Sequence, residues 1–272
     1  MRIKEILHQG AQAFVGVSDI PQKEAMLLLS HHLKKEMSWI MAHHDDDVEI
    51  TEAFWNDVKR RSLHEPLEYI LQQASFYGKE FYVDARVLIP RPETELLVDK
   101  VVELTKDLES LSIVEIGCGS GIISIMLALM LPKARIIAVD ISQDALAVSL
   151  KNARKHGVEE RICFVHGSYL DEVHKDIDVI VSNPPYIAQD VSLGIGLSFE
   201  PSLALYGGQK GDEMLKKIIE LFEQRKAKLL LCEMGYDQKE SLGDYALNKG
   251  FQAHFYTDLA GLDRGFWIRR EK

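Results

Sequence analysis

The hydrophobic run Ile177–Asp178–Val179–Ile180–Val181 stops on Ser182–Asn183–Pro184–Pro185–Tyr186. Two consecutive prolines surrender two backbone donors and fix φ, which the interior of a strand does not tolerate. They mark a rigid exit that holds a carboxamide and a phenol at the edge of whatever the strand supports. A plain Pro-terminated loop explains these residues equally well, so a second group has to decide. That group is Glu115–Ile116–Gly117–Cys118–Gly119–Ser120–Gly121, followed by Asp140, 19 residues past Gly121. Glycines at a strand-to-helix turn permit positive φ and let a ligand approach the main chain. An acid ending the next strand can accept both hydroxyls of a ribose.

Together these residues point to a ribose-bearing ligand. A dinucleotide site would usually place a third glycine two residues further on, whereas the chain continues Gly121–Ile122–Ile123–Ser124, and no phosphate loop ending in Lys-Ser/Thr follows. A ribose acceptor without a pyrophosphate cradle suits S-adenosylmethionine (AdoMet) better than NAD. Glu115 has two readings, one near the cationic methionine end of AdoMet and one as a strand-end carboxylate facing water.

In a parallel sheet of this order the carboxyl ends of the first, second and fourth strands converge on one crevice, which places Asn183 beside the methyl donor. Methyl transfer from a sulfonium is an in-line displacement, and the work of the protein is placement and desolvation. A nitrogen bonded to an sp² carbon has a delocalised lone pair and is a poor nucleophile. Two fixed acceptors for its N–H groups orient it and favour the charge developing on it. Asn183 Oδ1 and the Pro184 carbonyl are two such acceptors, the two prolines hold the second in place, and Tyr186 can pack against the planar group. The loop therefore reads as a rigid clamp for a planar –NH₂. No His or carboxylate is placed by sequence as a general base.

The elements that must position these residues fall into two patterns. The first ~70 residues have helical spacing, with Ile3, Ile6, Leu7 and Ala11, then Ala25–Leu29 opened by Ile20–Pro21, then Phe54, Trp55, Val58 and Leu63. His43–His44–Asp45–Asp46–Asp47 has no further ligands at chelating spacing and reads as a solvated acidic loop. Phe76–Tyr77–Gly78–Lys79–Glu80–Phe81 carries a hairpin signal. From about residue 111 strands and helices alternate as in a parallel α/β sheet, with strands at 112–116, 134–140, 161–165, 177–182 and 228–233. Two closing strands, 252–257 and 266–269, are spaced to pair antiparallel. The expected organisation is a helical domain at 1–72, a hairpin linker at 73–95 and an α/β domain at 96–272. The expected fold is a Rossmann-like, mostly parallel sheet with an antiparallel last strand.

With 272 residues, 46% hydrophobic and 27% charged, the chain is an ordinary globular sequence long enough for two cores. The formal net charge of −10 weighs against affinity that rests on wrapping a phosphate backbone, so no stable nucleic acid partner is expected. The three cysteines, Cys118, Cys163 and Cys232, lack paired metal spacing and read as reduced thiols; no metal is expected. The apolar runs are too short to span a bilayer, and the expected location is the cytoplasm.

"VLIPRPETELLV", "EIGCGSG" and "NPPY", with "EPLEYIL" at Glu65–Leu71, "FEPSLALYGGQKG" at Phe199–Gly211 and "DLAGLDR" at Asp258–Arg264, closely resemble the bacterial glutamine N5-methyltransferases of peptide chain release factors (PrmC/HemK). The resemblance runs in family order from about residue 20 to the C-terminus. It implies methylation of the side-chain amide of the Gln in the Gly-Gly-Gln motif of class 1 release factors, with AdoMet as donor and S-adenosylhomocysteine as product. Carried over, Gly117, Cys118, Gly119, Ser120, Gly121 and Asp140 would bind AdoMet, with Glu115 and Asn183 beside it. Asn183, Pro184, Pro185 and Tyr186 would clamp the glutamine, Arg91 and Glu93 would position it, and the helical domain would help dock the release factor. The expected state is a monomer.

Two departures stand out. Where the family has an acid and then an aromatic after the third strand, contacting adenine, this chain has Ser168–Tyr169, so a hydroxyl replaces a carboxylate while the stacking face remains. Glycines that usually flank "EPLEYIL" are replaced by His64 and Gln72. The clamp by itself leaves other acceptors open, namely a ribosomal-protein glutamine or a nucleobase amino group such as adenine N6. A non-catalytic AdoMet-binding module is a further alternative, though such a module would need no amide clamp.

Overall fold

The computed structural model describes residues 1–108 and 110–271, which form two compact units. The first contains Met1–Gln73 together with Gly194–Phe199. Its helices are α1 (Ile3–Ala13), α2 (Pro21–Leu33), α3 (Met37–Ala42), α4 (Glu52–Ser62) and α5 (Leu67–Leu71). The apolar spacing that predicts α1, α2 and α4 becomes a core in which Ile3, Ile6, Phe14, Leu28, Ile40 and Phe54 are wholly buried. Pro21 sits at the first turn of α2, where its missing N–H costs nothing. Arg61 of α4 grips Glu24 of α2 through two bonds, Nε to Oε2 at 2.7 Å and Nη2 to Oε1 at 3.2 Å.

Leu63 departs from the expected stripe. Helix α4 ends at Ser62, Leu63 takes the cap position, and its side chain is exposed. Helices α3 and α5 were not expected; with six and five residues they are too short for a 3.6-residue period to register.

The second unit begins at Ala74 and resumes at Glu200. The expected hairpin is present as β1 (Ala74–Phe76) and β2 (Lys79–Phe81), and Phe76 and Phe81 are buried in this unit's core beside Leu97 of α6 (Thr94–Thr105). The sheet strands are β3 (Ser112–Ile116), β4 (Arg135–Asp140), β5 (Ile162–His166), β6 (Val179–Ser182), β9 (Leu229–Glu233), β10 (Ala253–Thr257) and β11 (Asp263–Arg269). Between β6 and β9 lies a short parallel pair, β7 (Ile187–Ala188) and β8 (Tyr206–Gly208), which strand-length patterning does not reveal.

Among the described residues the seven-stranded sheet has the order β10-β11-β9-β6-β3-β4-β5, with β5, β4, β3, β6 and β9 parallel and β11 antiparallel to both its neighbours. This is the mostly parallel sheet with an antiparallel closing strand that the sequence predicts. Alternate residues feed two cores, as a sheet covered on both faces requires. Ile113, Val179 and Leu229 pack with α6, α7 (Ile122–Met130) and α8 (Gln143–Lys155). Val114, Ile180 and Leu230 pack with α9 (Glu213–Gln224) and α10 (Lys239–Asn248). Among the described residues no helix is long and apolar enough to cross a membrane.

The two replaced glycines have a structural consequence. His64 has φ +70° and Gln72, which caps α5, has φ +53°, both in the left-handed region. That region costs an L-residue about 1–2 kcal/mol, while glycine adds about 0.5–1 kcal/mol of unfolded-state entropy. Gln72→Gly is therefore expected to stabilise the protein by roughly 0.5–1 kcal/mol, read as a higher urea midpoint at unchanged m-value. A lower midpoint would show that the Gln72 side chain holds something glycine cannot.

Candidate active site

The register of the sheet sets out the site before any side chain is considered. Ile116 is paired with both Val139 and Ser182, and Ser182 with Cys232. One residue further along each strand therefore stand Asp140, Gly117, Asn183 and Glu233, side by side at the carboxyl edge. Ligands of open α/β sheets bind at this edge.

The main chain of the glycine loop is pinned from below. Gly117 N–H and Cys118 N–H both donate to the Val139 carbonyl, at 2.9 and 3.0 Å. Gly117 and Gly119 have φ +73° and +52°, and a Cβ on either would meet only open space. The loop thus offers bare backbone to the cavity, the cradle expected for a ligand lying on the main chain. Asn152, buried in α8, steadies it by donating to the Ser120 carbonyl at 2.9 Å while its amide also bonds both sides of the Tyr82 backbone.

Asp140 is buried, and its oxygens accept from Gly119 N–H at 2.8 Å and Ser142 N–H at 2.9 Å. Burial nevertheless raises its pKa. The two amides fix the carboxylate at the cavity wall and leave each oxygen a lone pair for a diol. Glu115 is not a strand-end carboxylate facing water. It is 1% exposed, with Oε2 accepting from the backbone and the hydroxyl of Ser124 in the first turn of α7, and it lines the cavity. Desolvation pushes its carboxyl up to about 8. Burial likewise pushes up the Cys118 thiol, an inert group in the loop.

The cavity has a volume of about 350 Å³. Its walls include Glu115, Gly117, Cys118, Gly119, Ser120 and Asp140, and on one side Ser168 and Tyr169. Tyr169 is held at φ +51°, a strained conformation for a tyrosine, with its ring half-buried. Arg91, Asn183 and Pro185 line the same cavity, whereas Gly121, Pro184, Tyr186 and Glu93 lie outside its wall. Gly121 instead serves packing, since a Cβ there would run into Ser149 Oγ.

The Asn-Pro-Pro-Tyr loop is held by its backbone and side chains alike. Ile187 and Ala188 pair with Tyr206 and Gly208, and Gln238 Nε2 donates to the Tyr186 carbonyl at 2.9 Å. Gly207 is required here because a Cβ would stand 2.4 Å from the Pro185 carbonyl oxygen. The Asn183 Nδ2 group donates to Thr94 Oγ1 at 3.1 Å, and Tyr186 O–H donates to Glu233 Oε1 at 3.1 Å. Among the described residues no donor reaches Asn183 Oδ1 or the Pro184 carbonyl; Asn183 lines the cavity, and Pro184 is buried between the lining residues Asn183 and Pro185.

Three further side chains serve the wall, one lining it and two buried carboxylates bonded to residues that line it. Thr94, rather than its neighbour Glu93, lines the cavity. Glu200 is buried and accepts from Ile89 N–H at 3.0 Å and from the Arg91 guanidinium, tying the proline-bracketed loop to the segment before β8. Glu233 is 1% exposed and accepts from Thr94 O–H at 2.7 Å. A carboxylate ending an apolar run, "LLLCE", is the same signal that marks Asp140. Among the described residues no cluster of three His, Cys, Asp or Glu side chains is arranged to hold a metal ion.

Comparison with known proteins places these features in a lineage. The PrmC N-terminal domain family matches residues 5–71 and the Methyltransferase small domain family residues 92–197. A release factor glutamine methyltransferase of Moorella thermoacetica is 33% identical over 282 residues, covering 100% of both chains. The one of Neisseria gonorrhoeae is 36% identical over 261 residues, covering 92% of this chain and 94% of its own. A bifunctional methyltransferase of Rickettsia typhi is 34% identical over 96% of this chain, which spans only 56% of that protein. The fold is shared with the ribosomal protein L11 methylase of Lactobacillus delbrueckii subsp. bulgaricus, at TM-score 0.52 and 20% identity over 70% of this chain and 84% of that one.

The buried Glu115 yields a pH test. Folded, it keeps a proton up to about 8, whereas the unfolded side chain releases it near 4.5. The folded state binds the proton more tightly, so this contribution to stability is full below the unfolded value and is lost as pH rises through about 8. Urea unfolding of the ligand-free protein between about pH 5 and 8 should show Glu115→Gln with a shallower decline than the wild type. Parallel curves would mean that Glu115 is ionised throughout.

Proposed function

The chain belongs to the release factor glutamine methyltransferase family, and from that premise we propose that it transfers a methyl group from AdoMet to the side-chain amide nitrogen of the Gln in the Gly-Gly-Gln motif of class 1 peptide chain release factors. The observation that carries this reading is the pair of acceptors that no donor among the described residues reaches, Asn183 Oδ1 and the Pro184 carbonyl, on a rigid loop beside a bare-backbone cradle and a buried acid.

The residues present fit AdoMet. Asp140 has lone pairs for the ribose hydroxyls, the Gly117–Gly119 backbone lies open beside them, and Tyr169 offers a ring to the adenine. Asp140 supplies negative charge for a cationic ligand, and Glu115, which keeps its proton up to about 8 in the ligand-free protein, is a buried carboxyl that a cation beside it would ionise. When bound, AdoMet supplies an electrophilic methyl on sulfur.

The chain's own part is to hold the acceptor. Asn183 Oδ1 and the Pro184 carbonyl each accept one N–H of the glutamine amide, which fixes the nitrogen in line and favours positive charge developing there. Pro185 and the β7–β8 pairing keep the carbonyl from moving, and Arg91, locked to Glu200, borders the entrance. Tyr186 serves the loop through Glu233, because burial and that neighbouring carboxylate keep its phenol protonated. Ser168 offers a hydroxyl on the same side of the cavity. The helical residues 1–72, with 73–95 as linker, are assigned to docking the release factor, and the protein acts as a monomer in the cytoplasm without a stable nucleic acid partner.

Incubation of a release factor with AdoMet and this protein, followed by mass spectrometry, should show one added methyl on the Gly-Gly-Gln peptide. Asn183→Ala should lower the rate on the order of 100-fold or more while AdoMet still binds. An unmodified peptide with AdoMet bound would transfer the activity to another glutamine, such as one on a ribosomal protein.

A further inference from the structure

With Glu233 ionised, the donors and acceptors behind the clamp admit one arrangement. Glu233 as a carboxylate only accepts, and its two oxygens receive Thr94 O–H at 2.7 Å and Tyr186 O–H at 3.1 Å. A threonine hydroxyl has a single proton. With that proton given to Glu233, Thr94 faces Asn183 only as an acceptor, and it lies 3.1 Å from Asn183 Nδ2. The amine branch of the Asn183 amide is thereby turned to Thr94, and the carbonyl branch is left for the cavity. Without this chain the amide is free to flip by half a turn, which replaces an acceptor by a donor at similar shape and would repel an incoming N–H.

We propose that Thr94 and Glu233 are positioning residues that set the flip state of Asn183, so that Oδ1 and not Nδ2 faces the acceptor amide. The inference rests on the proposed role of Asn183 and names what makes that role work. The motif "IPRPETE" then contributes its Thr94 hydroxyl to the clamp. The carboxylate at the end of β9 acts at a distance through two hydroxyls, and neither Thr94 nor Glu233 need touch the reacting atoms. The sequence gives no local hint of the link, because Thr94 and Glu233 are 139 residues apart.

Thr94→Val keeps the shape and removes both hydrogen bonds, while Thr94→Ser keeps them. Methylation of a release factor should lose on the order of 100-fold in kcat/KM in Thr94→Val, with the AdoMet dissociation constant held within about twofold, and Thr94→Ser should restore it. On an Asn183→Ala background Thr94→Val should cost nothing further, since its effect runs through that side chain. Side-chain amide NMR gives a readout that needs no acceptor. The Asn183 resonances, identified by their loss in Asn183→Ala, should move in Thr94→Val and in Glu233→Gln and stay in place in Thr94→Ser. Wild-type kcat/KM in Thr94→Val, a loss fully additive with Asn183→Ala, or unmoved resonances would overturn the proposal. If the wild type leaves the release factor unmethylated while the resonances shift as expected, the acceptor assignment falls and the positioning stands.

Discussion

The site depends on carboxylates buried at the ends of parallel strands. Strands β3, β4 and β9 carry Glu115, Asp140 and Glu233 at or next to their last residue, and each is at most 9% exposed. A carboxylate taken from water has to be given donors or neutralised. Each has acquired its own set: Ser124 for Glu115, the Gly119 and Ser142 amides for Asp140, and Thr94 with Tyr186 for Glu233. Those donors belong to the glycine loop, the helix starts and the proline loop, which are the segments that have to be immobile. Satisfying the acids and building the pocket are the same act.

This arrangement suits a reaction whose difficulty lies in geometry. Asp140 stiffens the backbone turn on which a ligand would lie. Glu233 stiffens the loop bearing Asn183 from behind. Glu200 does the same for Arg91 across a gap of more than a hundred residues. Each acid holds a neighbour in place, and the functional atoms at the cavity are mostly backbone carbonyls, backbone amides and one carboxamide. Such neutral groups need a rigid frame to select an orientation, and the frame is electrostatic at its root.

Much of this was legible in the sequence. The parallel strands, the glycine loop, Asp140 and the Asn-Pro-Pro-Tyr exit follow from alternation, turn chemistry and spacing, because each is a local property of consecutive residues. What escaped was either too short or too distant. Helices α3 and α5 and the β7–β8 pair lack the length for a period to show. Thr94, Glu200 and Glu233 act on residues far along the chain, so their roles appear only when the sheet brings them together. Glu115 kept two readings until its bonds to Ser124 removed the solvent-facing one. The sequence marks His64 and Gln72 as departures, and only their positive φ shows why glycine fits there.

The central claim is that a planar amide is held between Asn183 Oδ1 and the Pro184 carbonyl. A crystal structure of the protein with S-adenosylhomocysteine and a peptide containing Gly-Gly-Gln tests it most directly. The account places the glutamine amide nitrogen about 3 Å from both oxygens, with the ribose on Asp140. A glutamine side chain seated elsewhere, with both oxygens facing solvent, would contradict it.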